Sequence, residues 1–434
     1  MRRTSDTRPV AHSSYTVLSQ CGSLGRALLC LADVAALAAV GLALRAGAPA
    51  IAIAAATWLI SAVTFGLCDR RWWPRPRLLP VIAAKTWAGS SVLCLLALAI
   101  LPSSTAPTRM LALPLASAVV AIALRAAWHA GALRRRKPVV VVDAVGEARL
   151  QRWLAYYWPE WEIVSILDGS DPSAVERLAG ARRAQVAYYL NGQAPPVGSG
   201  RLAPLPLDDL LERASGRVRV DCAGEVQPHW SRANGATKRA VDVCVAAAGL
   251  AVLSPLMAAL AALIKLESRG PAIYRQRRLG LGCRPFQMLK FRSMVDQAEQ
   301  ETGPVWAQDD DPRCTPLGRI LRPLHLDELP QLVNVLRGEM SLIGPRPERP
   351  ELSEDLLQTM PAYRARLAVK PGITGWAQVN QGYDRGMDDV RRKLEYDLFY
   401  VRRGGLLFDA VILLRTIDAV IFGKPQRPAQ HELP

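Results

Sequence analysis

The sequence predicts an α-helical membrane region followed by two soluble modules that mix helix and strand. Three observations predict it. Four apolar runs near the start are each about the 20 residues needed to cross a bilayer core as a helix. A middle stretch alternates short β-branched runs with helical patterns. A fifth apolar run then leads into a basic second half punctuated by glycine and proline. The 434 residues are 50% hydrophobic yet carry a formal net charge of +16. That pairing fits a membrane protein with basic flanks, or an anionic partner. A soluble nucleic-acid binder has no need of the apolar runs, so nucleic acid is not expected as a partner. The eight cysteines form no C-x-x-C pair. Cys21, Cys30, Cys68 and Cys94 lie in or beside apolar runs, as small hydrophobes do.

Residues 1–23 read as a basic tail, and 24–136 as a four-helix transmembrane domain with segments near 24–45, 49–68, 78–101 and 110–131. Arg2, Arg3 and Arg8 precede the first segment, and Arg26 lies at its start. Arg70, Arg71, Arg75 and Arg77 fill the loop after the second, and Arg134, Arg135, Arg136 and Lys137 follow the fourth. The other two loops hold only Arg45 and Arg109, so both ends of this domain are expected in the cytoplasm. A transporter or export component is one alternative reading. It needs polar groups inside the helices, and only Asp33 and Lys85 stand out.

Residues 137–222 read as a small parallel α/β domain. The strands are "PVVVVD" (138–143), "WEIVSILDG", "AQVAYYL" and "RVRVDC" (217–222), with helices between them and one near 207–214. After the first strand the chain reads "DAVGEARL", with one glycine where a dinucleotide cradle has three. That weakens a second alternative, a membrane-tethered nucleotide-binding regulator. A linker at 223–237 precedes the fifth apolar run, 238–266, which Ser254 and Pro255 interrupt. Proline removes a helix hydrogen bond, and the serine hydroxyl can satisfy a freed carbonyl. Lys238 and Arg239 lie before the run, and Lys265, Arg269, Arg275, Arg277 and Arg278 after it. Both ends therefore belong on the cytoplasmic face, and a re-entrant helix satisfies this where a spanning one does not.

The chemistry concentrates in "LDELPQLVNVLRGEMSLIGPRP" (326–347). Pro330 suits a first helical turn, and Gly338 a left-handed C-cap. Leu329, Leu332, Val333 and Leu336 repeat at the spacing of one buried face. Asp327 and Glu328 thus sit at the positive end of a short helix, where ionised carboxylates, phosphate groups and a metal between them are favoured. Pro345 and Pro347 stiffen the backbone around Arg346, whose guanidinium suits bidentate phosphate binding. Simple capping is the plain reading of the acidic pair, and the Gly-Pro-Arg-Pro loop argues against it. Upstream, "GPAIYRQRRLGLGCRPFQMLKFRSM" (270–294) reads as a strand pair with a turn at Gly280–Gly282. "WAQDDDPRCTPLGRILRPLHLDE" (306–328) carries Asp309, Asp310 and Asp311, and His325 reads as a helix-flanking histidine.

The 326–347 segment resembles the signature of the bacterial sugar transferases, the monotopic polyprenyl-phosphate phosphoglycosyl transferases. The likeness extends over about the last 190 residues and includes "PAYRARLAVKPGITGWAQVNQGYD" (361–384). It implies that 238–424 is an α+β catalytic domain with a re-entrant membrane helix, and that 137–222 is a degenerate Rossmann-like domain. Residues 425–434 are a tail. It also implies that Asp327 attacks the β-phosphate of a UDP-sugar, such as a UDP-hexose of glucose or galactose, and releases UMP. Undecaprenyl phosphate then takes the sugar phosphate from Asp327. Glu328 is implied as a Mg²⁺ ligand, Lys290 and Arg292 as holders of the diphosphate, and Arg322, Pro345 and Arg346 as further substrate-binding residues. "PERPE" (347–351) resembles exopolysaccharide-type members. The resemblance places the enzyme in the bacterial inner membrane, in contact with lipid and with its catalytic domain in the cytoplasm. A homodimer is compatible with all of this. Finally, 388–405 reads as an amphipathic helix. The apolar 406–423 holds Asp409, Arg415 and Asp418, which favour a helix at the membrane surface, or packed on the re-entrant one, over a spanning helix.

Overall fold

The computed structural model describes residues 33–35, 37–39, 48–64, 79–100, 114–115, 118–127, 137–142, 161–167, 186–189, 203–206, 212, 215–220, 228, 232–295, 298, 311–381 and 386–422. The chain divides into two compact units, Met1–Leu210 with His431–Pro434, and Leu211–Gln430. The basic tail, the arginine-rich loops and the helices expected between the first three strands lie outside the described residues.

In the first unit, α1 (Ala48–Thr64) and α2 (Leu79–Ile100) occupy the second and third expected segments. The first and fourth are represented by helical residues within 33–39 and by Ala118–Ala127. Trp58, Ala54, Ala62, Ala83 and Cys94 form a close-packed core with Leu37 and Ala121. Some polar groups inside it find partners, while Ser61 Oγ and Ser91 Oγ find none among the described residues. Thr57 Oγ1 lies 3.2 Å from Ser90 Oγ and 3.0 Å from Cys94 Sγ. Asp33 is held by both terminal nitrogens of Arg125 at 3.1 Å, with both side chains buried. Lone charges at these positions would favour a transport path, but here a carboxylate and a guanidinium close on each other.

The same unit holds a four-stranded parallel sheet of β1 (Lys137–Val142), β2 (Trp161–Leu167), β3 (Val186–Tyr189) and β4 (Ala203–Pro206), in the order β2-β1-β3-β4. The first three expected strands are present. The fourth is not 217–222 but "APLP", whose prolines are tolerated because β4 is an edge strand. The alternation in "RVRV" marks an extended, half-buried segment whose neighbour is a helix. Val218 N donates to Glu395 O at 3.0 Å, and Arg217 pairs with Glu395 at 3.2 Å, both in the second unit.

The second unit opens with α3 (Arg232–Glu267), a 36-residue helix. It begins six residues before the expected start, because Asn234 and Gly235 cost a helix only about 1 kcal/mol or less each. Pro255 lies inside it without ending it, and Ser254 Oγ donates to Ala251 O at 2.9 Å. Among the described residues, Gly235–Glu267 is the one helix long and apolar enough to cross a membrane. One stripe of α3 packs on the unit. Ala246 meets Val335, Met340 and Met288, and Leu260 and Ile264 meet Phe291 and Leu321. The remainder is apolar and open, with Val252 77% and Leu266 83% exposed. Both ends of α3 are tied down. Arg239 donates to Val335 O (2.6 Å) and Leu336 O (2.9 Å), and Arg292 donates to Ile264 O, Ser268 O and Arg269 O.

The hairpin β5 (Ile273–Leu279) and β6 (Pro285–Phe291) turns over Leu281–Cys283, where Gly282 and Cys283 have φ of 63° and 64°. After α4 (Pro316–Leu321) and α5 (Gln331–Arg337), β7 (Ser341–Ile343) pairs in parallel with β8 (Gly372–Thr374). Helices α6 (Pro350–Thr359), α7 (Trp376–Asn380), α8 (Met387–Arg403) and α9 (Leu406–Phe422) complete the unit. The charges expected to keep α9 from spanning are turned onto protein. Asp409 takes Lys238 at 2.6 Å and Tyr400 OH at 2.9 Å, and Arg415 lies 5.3 Å above the Trp376 ring.

Candidate active site

Asp327 and Glu328 stand on a short 3₁₀ turn, Leu326–Glu328, rather than on the first turn of one continuous helix. Pro330 caps the α5 that follows, and Gly338 closes it at φ 81°. The leucine face is only half-buried, because it packs against α3. The deeply buried positions of α5 are Gln331, Asn334 and Val335. Asn334 explains why a polar residue lies there. Its Nδ2 donates to Gln287 O (2.7 Å), and its Oδ1 accepts from Leu289 N (3.0 Å). One buried amide thus fastens β6 to α5 and brings Lys290 to the acidic pair.

The two acids have different surroundings, as expected for neighbours about 120° apart on a 3₁₀ turn. Glu328 receives Arg346 Nη2 at 2.7 Å and Nη1 at 3.4 Å, and Lys290 Nζ at 3.1 Å. Burial opposes its charge, but Arg346 and then Lys290 outweigh burial and hold the carboxyl well below its ordinary range. Asp327 makes no hydrogen bond or ion pair among the described residues. Burial, with Glu328 beside it, raises its carboxyl above the ordinary value against the pull of Lys290 and Arg346. Both acids line one cavity of about 920 Å³. The result is a fixed anion with two cations, next to a more basic carboxylate with free oxygens.

The loop that presents Arg346 is interlocked with β8. Gly344 N donates to Thr374 O, and Gly372 N to Pro345 O, each at 2.9 Å. A Cβ on Gly344 would lie 2.4 Å from Lys370 O, one on Gly372 would lie 2.1 Å from Gly344 N, and one on Gly375 would lie 2.1 Å from Gly344 O. Three glycines therefore let two backbones touch. Arg366, 2% exposed, donates to Arg346 O at 2.8 Å and pairs with Asp397 at 2.7 Å.

Lys290, Asp327, Glu328 and Arg346 thus come together, while Pro345 does not line the cavity and turns its carbonyl to Gly372 N. Arg292 also lines this cavity but makes no hydrogen bond to either acid. Its terminal nitrogens cap the last carbonyls of α3, because β6 ends at Phe291 and the chain turns away. Arg322 lines the cavity, but it donates to Cys314 Sγ rather than to either acid. His325 is exposed, has φ 56°, and turns Nδ1 to Pro323 O. Asp311 folds back on Arg313, while Asp309 and Asp310 lie outside the described residues. Ser254 and Pro255 are exposed on α3, away from the dyad's own contacts.

Sequence reasoning missed a second charged cluster along the same cavity. Glu348 takes Lys393 at 2.5 Å and lies 3.8 Å from Arg278 and 3.9 Å from Arg366. "PERPE" gave the acid, but its partners come from three other elements. Burial opposes the Glu348 charge, yet Lys393 and Arg366 hold its pKa at about 2, against an ordinary 4.5. A depressed carboxyl stabilises the fold above the unfolded value, and that stabilisation is lost as pH falls through the folded one. The detergent-solubilised protein should therefore lose unfolding free energy between pH 4.5 and about 2. Glu348→Gln should flatten that part of the profile, and an unchanged slope would contradict the assignment.

Residues 233–423 match the family model described as bacterial sugar transferase. The chain is 43% identical over 228 residues to the UDP-N-acetylgalactosamine-undecaprenyl-phosphate N-acetylgalactosaminephosphotransferase of Aeromonas hydrophila, covering 51% of this chain and 54% of that protein. It is 41% identical over 189 residues to the UDP-glucose:undecaprenyl-phosphate glucose-1-phosphate transferase of Escherichia coli (strain K12), covering 43% and 40%. It is 37% identical over 207 residues to the exopolysaccharide production protein ExoY of Sinorhizobium fredii (strain NBRC 101917 / NGR234), covering 44% of this chain and 88% of that protein. The chain spans about half the length, or less, of the first two. The matched stretch contains the acidic pair, its cations and the interlocked glycines, and this chain belongs to the bacterial sugar transferase family.

Proposed function

We propose that this chain transfers a sugar 1-phosphate from a UDP-sugar to undecaprenyl phosphate, as an opening step of exopolysaccharide or related glycan synthesis. The observation that carries this is the unpartnered Asp327 beside a Glu328 already held by Lys290 and Arg346. In the first step an Asp327 oxygen bonds to the β-phosphorus of the donor. The bridging P–O bond breaks, and UMP leaves with the bridging oxygen. In the second, a phosphate oxygen of undecaprenyl phosphate bonds to the same phosphorus, and the Asp327–phosphorus bond breaks. The carboxylate is restored with no net proton change. Splitting one substitution into two is the advantage of a covalent nucleophile. Arg346 and Lys290 face the charge that develops on the phosphoryl oxygens.

The donor set suits a magnesium ion that arrives with the diphosphate. Among the described residues no three His, Cys, Asp or Glu side chains converge as an all-protein cage. Magnesium characteristically uses one or two carboxylates and completes its shell with phosphate and water. Glu328, with Asp327 beside it, would hold the ion, which when bound would neutralise phosphate oxygens.

We also infer a multi-pass inner-membrane protein with four N-terminal crossings, a degenerate Rossmann-like domain, and its catalytic unit on the cytoplasmic face. Two anchored ends on one unit and an open apolar surface between them support a re-entrant α3.

Incubation with β-³²P-labelled UDP-sugar and no acceptor should leave label on Asp327, with none on Asp327→Asn. Turnover by Asp327→Asn with no adduct on the native enzyme would overturn the mechanism. In a cysteine-replaced background, Ala236→Cys and Leu266→Cys should both react from the cytoplasmic side in oriented vesicles. Labelling from opposite sides would make α3 a spanning helix.

A further inference from the structure

We infer that the isoprenoid chain of the acceptor lies in an apolar groove between the first half of α3 and α9, and reaches Asp327 sideways from the lipid. The inference rests on the proposed function for its acceptor class. The location comes from how the two helices are joined.

Lys238 near the start of α3 and Asp409 near the start of α9 are clamped at 2.6 Å. Val245 and Gly249 follow Lys238 by seven and eleven residues, and Thr416 and Val420 follow Asp409 by the same intervals. At 1.5 Å per residue, these pairs sit about 10 and 16 Å beyond the clamp on each helix. With Leu253 and Ala419 they line the same cavity as Asp327, Glu328, Lys290 and Arg346. Its two ends differ in chemistry. One holds the acidic pair among several cations, Lys290, Arg346 and Arg322 among them, and the other, between the two helices, is aliphatic apart from Thr416. A ligand that fits both carries phosphate on a long apolar tail, which a nucleotide sugar does not.

The outer rim of the groove is open. Val245 is 45%, Ile417 46% and Val420 39% exposed, continuous with the open apolar surface of α3. The floor is formed where Gly249 faces Leu332 on α5, the helix that follows the dyad, with room only for ordinary contact. A chain in this groove would run past Leu332 toward Asp327, placing its terminal phosphate among the cations after UMP has left.

The two half-reactions allow a test with the full-length protein in lipid nanodiscs. Ala419→Trp and Val245→Trp fill the groove from opposite helices, and Leu407→Trp places the same indole at an 86% exposed position that does not line the cavity. The rate of adduct formation from labelled UDP-sugar reports the first step. Loss of adduct on adding undecaprenyl phosphate, or a ten-carbon isoprenyl phosphate, reports the second. Both groove variants should form adduct within about twofold of the native rate but discharge it to undecaprenyl phosphate about tenfold more slowly, the cost of losing roughly 1.4 kcal/mol of apolar contact. Discharge to the short acceptor should change less, and Leu407→Trp should match the native enzyme in both steps. Unchanged discharge in both groove variants, or equal slowing with long and short acceptors, would overturn the groove assignment. Failure of the native enzyme to form adduct would instead overturn the proposed function.

Discussion

The pairing of Glu328 with Arg346 and Lys290 is the interaction on which the site depends. A buried carboxylate without partners would protonate, and two adjacent buried carboxylates would share a proton. Here two cations fix one of the pair as an anion and leave its neighbour with free oxygens. Each cation comes from a different part of the chain, Lys290 from the hairpin and Arg346 from the loop after β7. Most of the catalytic unit can be understood as the means of holding both cations within 3.1 Å of Glu328.

That holding uses backbone contacts more than side-chain bulk. Asn334 ties β6 to α5, and the Gly344, Gly372 and Gly375 contacts seat the arginine loop on β8. Arg366 then grips the carbonyl of Arg346 from behind. Its ion pair with Asp397 on α8 extends the support toward the cluster around Glu348. On the other side, α3 is fixed to the C-terminus of α5 through Arg239 and to α9 through Lys238. The long apolar helix is therefore part of the frame that positions the dyad.

Local signals were read well from sequence. Pro330, Gly338, the Gly280–Gly282 turn and the last two helices follow from short-range rules, and the structure places them accordingly, while the acidic pair falls on a 3₁₀ turn just before the helix expected to begin with it. Three features were not legible, because each depends on a distant partner. Period-two alternation at 217–220 signals an extended segment but cannot say that a helix covers it. Lys290 and Arg292 are two residues apart and chemically alike, yet one meets Glu328 and the other caps α3, because the strand ends between them. Arg125 gives no hint in its own segment of the Asp33 that it neutralises 92 residues away.

The most direct test of the central claim is the separate titration of the two acids by infrared difference spectroscopy in the carboxyl-stretch region, assigned with Asp327→Asn and Glu328→Gln. As pH falls, the Asp327 carboxylate should protonate first, above the ordinary aspartate value of 3.8, while Glu328 stays ionised well below 4.5. The reverse order, or a single shared proton lost with either substitution, would contradict the division of labour between the two acids.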